Sequence, residues 1–319
     1  MTSPRAQQIS LADRPFYHIM SRCVRHSYLC GTDKLTGQCF EHRRQWIEDR
    51  IRLLSTIFAI DICSYAVMSN HYHIVIKVDL ETSSNWSFDE VIQRWLCIHK
   101  GPFLIQKYQK GDAIGTTEMK VLNLIVDDWR LRLASISEFM QQLNQVIARQ
   151  ANSEESCTGR FWEGRFKSQP LLTEEALLTA MAYTDLNPIR AKMATTPEQS
   201  KHTSIKERIR PNFNLTRALD NNPDVNQFYI EGFSVKPLAC LEGCLKHTHQ
   251  VGVLLSHIDY LTLVDTTGRI QRQDKRGFIC DNFIPILQRL AIDTDEWVAN
   301  TQNFEAIFYK KFSYRLNAA

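Results

Sequence analysis

Residues 61–68 (DICSYAVM) and 71–78 (HYHIVIKV) are short apolar runs separated only by Ser69-Asn70, and nothing else in the chain constrains its fold as tightly. Runs of this length bounded by turn residues read as strands, and a two-residue connection makes them an antiparallel hairpin. Ahead of them, 16–24 (FYHIMSRCV) has strand composition, and about 40–58 (FEHRRQWIEDRIRLLSTIF) repeats apolar residues at helical spacing. The first eighty residues therefore read β-α-β-β.

From about 79 to 134 the pattern becomes a helical insertion, in which Ser87 caps a helix with Glu90 three residues on. A second capping box, Ser135 with Glu138, opens ISEFMQQLNQVIARQAN, and Thr173 followed by two acids opens EEALLTAMAYTDLN, which Pro188 is expected to stop. Between them GRFWEGRFKSQPLL reads as extended. The order β-α-β-β-α-β-α implies an α+β fold, helices on one face of an antiparallel sheet. Two domains are expected: 1–210, carrying the candidate site and the insertion, and 211–319, a mainly helical C-terminal domain of unknown role, dispensable for chemistry.

The 319 residues are 44% hydrophobic with a net charge of +3, ample for a core and too nearly neutral for a blanket of positive charge. Any nucleic-acid surface must be local. The first residues lack a signal-peptide core, and no run approaches the roughly 18 apolar residues a membrane span needs. Nine scattered cysteines then point to reduced thiols and a cytoplasmic setting, with no membrane partner.

His71 and His73 stand two apart on a strand, so their imidazoles leave the same face and could chelate one ion. His-x-His recurs at His247 and His249, so the pair is not specific by itself. Cys240 and Cys244 precede that second pair with a spacing poor for zinc. Tyr183 and Asn187, four apart on a helix, share a face; they are either a core anchor and a helix-terminating residue, or two groups of one site.

Three stretches decide between these readings. SYAVMSNHYHIVIKV, GRFWEGRFKS and AYTDLNPIRAKM resemble, in order, the signature stretches of the REP-associated tyrosine transposases, a branch of the HUH single-stranded-DNA transposases. The resemblance covers about residues 16–195. Ser69 stands where the family commonly has proline, and Thr184 where it has an aliphatic residue. The resemblance implies a ferredoxin-like sheet with the histidines on a central strand and an HUH catalytic domain over 1–210. His71 and His73 match its paired metal ligands, Asn187 the polar residue completing the site, and Tyr183 the nucleophile.

Two imidazoles and an amide oxygen suit Mg²⁺ or Mn²⁺ better than a closed zinc site. The ion would polarise a phosphodiester for attack by the phenol, whose ordinary pKa near 10 it would help to lower. The implied partner is single-stranded or hairpin DNA, joined through 5′-phosphotyrosine; the protein would then be nucleoid-associated, and a homodimer is compatible with the sequence. Residues 159–210 hold nine basic and six acidic residues with aromatics interleaved, from which Arg160, Trp162, Arg165, Lys167, Arg190 and Lys192 are expected to contact DNA. The alternatives are an HUH replication nickase, or a domesticated DNA-binding protein or repressor with a vestigial site.

Overall fold

The computed structural model describes residues 15–24, 29–33, 36–242 and 253–290. It opens with β1 (Phe16–Arg22), α1 (Arg43–Ile57), β2 (Ile60–Val67) and β3 (His71–Val78). The turn at Ser69-Asn70 is closed by the Met68 amide donating to the His71 carbonyl at 2.8 Å. The insertion forms α2 (Leu80–Asn85), α3 (Phe88–Leu96), α4 (Phe103–Gln109) and α5 (Thr116–Leu133), followed by α6 (Ile136–Glu154) and β4 (Lys167–Pro170). The strands lie in the order β2-β3-β1-β4, with β1 antiparallel to both β3 and β4. This is the expected α+β class with a ferredoxin-like strand order.

Register separates the two faces of the sheet. Tyr17, Ile19 and Ser21 pair with Ile76, Ile74 and Tyr72, all six buried. That face meets α6, where Asn144 accepts from the Tyr72 hydroxyl at 2.5 Å and donates to Ser21 Oγ at 3.0 Å. His18, Met20 and Arg22, paired with Val75, His73 and His71, look the other way.

Side-chain caps start the helices where the sequence places them. Ser87 Oγ accepts the Glu90 amide at 3.1 Å, and Ser135 Oγ the Glu138 amide at 3.4 Å. The second half of the Ser135 box is diverted, because the Glu138 carboxylate accepts from Arg132 at 2.8 Å and from Gln142 at 3.1 Å. Burial pushes this carboxyl up, but hydrogen bonds from His99, Arg132 and Gln142 outweigh it and hold the group at about 2, against an ordinary 4.5. A depressed carboxyl contributes stability that is complete above its ordinary pKa and is lost as pH falls through the folded value. Glu138→Gln is therefore expected to cost about 3 kcal/mol at neutral pH, a cost that shrinks as pH falls towards about 2 and vanishes below it. Denaturant titrations across that range check it; a difference constant with pH would assign the loss to packing.

Helix α1 buries four arginines, Arg43, Arg44, Arg50 and Arg52, which demand partners in a low-dielectric setting. Arg43 Nε donates to Glu154 at 2.7 Å, and Arg50 pairs with Asp224 at 2.9 Å. Asp49, fully buried on the same helix, accepts from Arg217 at 3.0 Å and Asn221 at 2.8 Å. These contacts bring α9 (Leu215–Asp220) to α1, after α7 (Glu174–Arg190) and α8 (Ser204–Ile209) in the chain; α10 (Gln227–Ile230) contacts α3.

The chain divides into two compact units. Of the described residues, the first takes those up to 62, 67–170 and 211–238; the second takes 63–66, 171–210, 239–242 and 253–290. In the second, α7 and α8 are joined by β5 (Leu241–Glu242) and β6 (Val253–Ser256), a parallel pair, then α11 (His257–Arg269) and α12 (Ile286–Arg289). The region expected to be mainly helical thus contains, among its described residues, four helices of which only α11 exceeds six residues. Cys244, His247 and His249 lie outside the described residues. Among those described, no helix is long and apolar enough to cross a membrane.

Candidate functional site

Strand β3 carries His71 and His73 on the sheet face away from α6, with ring centroids 4.9 Å apart. The turn preceding them is clamped: the Cys23 amide donates to the Asn70 carbonyl and the Cys30 amide to the Ser69 carbonyl, each at 2.9 Å. Ser69, the departure from proline, accepts from the buried Arg44 at 3.2 Å, a contact proline has no atom to make. His71 Nδ1 lies 2.6 Å from Asn70 Oδ1. His73, only 3% exposed, has its Nδ1 2.9 Å from His18 Nε2, with the two rings stacked at 9°. Both imidazoles engage neighbours through Nδ1, the arrangement by which histidines are oriented to coordinate through Nε2. Burial lowers the pKa of His18.

Three strands contribute to this face. Lys167 on β4 pairs with Met20, which pairs with His73, so a cation expected to meet DNA lies in line with the imidazoles. Arg22, exposed, stands directly opposite His71. Neither His18 nor Arg22 is singled out by sequence reasoning. The signal available was their alternation in β1 with the buried Tyr17, Ile19 and Ser21, but only the β1–β3 register places Arg22 opposite His71 and His18 diagonal to His73.

Tyr183 and Asn187 belong to α7, in the second unit. Thr173 Oγ1 caps this helix by accepting the Ala176 amide at 3.1 Å, with Glu174 and Glu175 in its first turn. Pro188 does not stop it: the helix runs to Arg190, because a proline in the last turn sacrifices a single ladder bond. Tyr183 is 38% exposed. Asn187 donates from Nδ2 to the Tyr183 carbonyl at 3.0 Å, leaving Oδ1 as its acceptor. Between them Asp185 is fully buried and accepts from Ser204 Oγ at 2.6 Å, the Ile205 amide at 3.0 Å and the Tyr260 hydroxyl at 2.5 Å. Burial pushes its carboxyl up to about 6 despite those bonds.

Two of the residues expected to contact DNA bond within the protein. Trp162 is 9% exposed, donates from Nε1 to the Asn144 carbonyl at 2.8 Å and packs edge-on against Tyr72, so its ring belongs to the core. Phe161 is buried beside it. Arg190 spends its guanidinium on the carbonyls of Thr267 at 2.8 Å and Ile270 at 2.7 Å, fastening the end of α11. Arg160, Arg165, Lys167 and Lys192 are exposed.

The candidate donors are of mixed type: two imidazoles on the first unit, each with Nδ1 engaged, and an amide oxygen on the second. Among the described residues no group of three or more His, Cys, Asp or Glu side chains is placed to hold a metal. The expected set differs in drawing its third donor from an amide.

No family model matches this chain, and no curated protein does. Among solved structures, that of the REP-associated tyrosine transposase bound to a REP hairpin is similar, with a TM-score of 0.37 and 12% identity over 67% of this chain and 90% of that one. At that distance no residue's role is carried over from it.

Proposed function

We propose that the protein is a metal-dependent tyrosine transposase or recombinase of the HUH type, cleaving and rejoining single-stranded DNA at palindromic repeats. The observation that carries this reading is the hairpin pair His71 and His73, each with Nδ1 engaged by a neighbour of the same unit. The three ordered motifs support it. His71, His73 and Asn187 would hold Mg²⁺ or Mn²⁺, which when bound supplies Lewis-acid polarisation of a phosphodiester. Tyr183 would attack phosphorus through its phenolic oxygen, giving up the phenol proton, while the bond to the 3′ oxygen breaks and that oxygen leaves protonated. DNA is then held as a 5′-phosphotyrosine ester, and a 3′-hydroxyl from another end reverses the step and joins strands without ATP. Arg160, Arg165, Lys167 and Lys192 would meet backbone phosphates.

Single-stranded hairpin oligonucleotides incubated with the protein and Mn²⁺ are expected to yield an adduct that survives SDS, and His71→Ala is expected to abolish it. Cleavage without joining of two ends would favour a replication nickase. Binding without any adduct would favour a repressor with a vestigial site.

A further inference from the structure

We propose that His18 is a positioning residue for the imidazole pair: it holds His73 in the Nδ1-protonated form, so that the lone pair of Nε2 is presented to an ion. This rests on the reading of His71 and His73 as ligands. His18 sits on β1 two residues before Met20, the register partner of His73, and reaches His73 on the diagonal. Its Nε2 lies 2.9 Å from His73 Nδ1, with ring centroids 5.1 Å apart.

One proton lies between those nitrogens, and its side decides what His73 can do. Were His18 the donor, the neutral His73 ring would carry its own proton on Nε2 and could not ligate through it. With His73 the donor, Nε2 bears a lone pair. The neighbouring ring shows the sense that this hairpin imposes. Asn70 Oδ1, 2.6 Å from His71 Nδ1, can only accept, so His71 carries its proton on Nδ1. His18 supplies His73 with the equivalent acceptor, from a different strand. The two rings are thereby set to the same tautomer by unrelated residues, which a purely space-filling role for His18 would not require.

The test uses the full chain labelled with ¹⁵N, read by long-range ¹H–¹⁵N imidazole spectra without metal and by Mn²⁺ titration. In the unaltered protein His73 is expected to show a protonated Nδ1. His18→Phe, which keeps a ring but has no acceptor, is expected to redistribute that proton and weaken Mn²⁺ binding by about 10–100-fold. His18→Gln, whose amide oxygen accepts, is expected to recover a substantial part of both. Melting curves separate these effects from a general loss of fold. His73 protonated on Nε2 in the unaltered protein overturns the proposal without any variant, as does a tautomer unmoved in His18→Phe. Failure of the unaltered protein to bind Mn²⁺ overturns the ligand reading instead, and the two results come from separate measurements.

Discussion

Tyr183→Phe is expected to abolish covalent DNA adducts and strand joining, a loss on the order of 10³-fold or more, while DNA affinity and the fold persist. Hydrolysis by an ion-activated water would need the metal but no phenol, whereas covalent transfer needs this oxygen. The replacement is mild structurally, since the ring is kept and the side chain is already 38% exposed. Mass spectrometry of the trapped adduct should place DNA on the peptide containing Tyr183. An adduct on Tyr108 or any other tyrosine, or undiminished cleavage by the variant, would leave a metal-dependent nuclease as the better description.

Ending the chain near residue 214 is expected to destroy the tyrosine helix rather than spare it, reversing the expectation that the tail is dispensable. Helix α11 contacts α7, and Tyr260, Leu261 and Val264 on it are fully buried. A Cβ on Gly268 would stand 2.9 Å from Leu186 Cδ2, and one on Gly277 would collide with the Ile189 carbonyl. Losing three such side chains at about 1.5–3 kcal/mol each, together with one of the three hydrogen bonds to Asp185, rivals the whole stability of a domain. Cleavage of even a minimal hairpin should vanish, with α7 becoming sensitive to protease. The point variant Tyr260→Phe should cost about 1–3 kcal/mol in thermal unfolding. A soluble truncation with α7 still protected would show that α11 is not needed to hold α7.

What was legible in the sequence was local. Ser87, Ser135 and Thr173 mark helix starts because their caps are made within three residues, and Ser69-Asn70 marks the hairpin because its length admits one geometry. One failure is local, since Pro188 falls in the last turn and the helix runs past it; the others are long-range. Trp162 in a basic stretch looks like a stacking platform until Tyr72 and Asn144 are brought to it. Arg190 looks like a phosphate contact until the carbonyls of Thr267 and Ile270 arrive from some eighty residues away. The tail looks separate because periodicity says nothing about which helix another will meet. His18 was passed over since a strand's alternation shows a face but not its neighbour across the sheet.

The interleaving of the two units also bears on how the chain is made. Arg50 on α1 waits for Asp224, which leaves the ribosome 174 residues later, after the tyrosine helix has emerged. At about 5–20 residues per second that is a delay of roughly ten to thirty-five seconds with a guanidinium unpaired. The tyrosine helix waits in turn for Tyr260, 75 residues beyond Asp185. The first unit therefore lacks Asp224, and the tyrosine helix lacks Tyr260, until long after the residues they bond to have been synthesised.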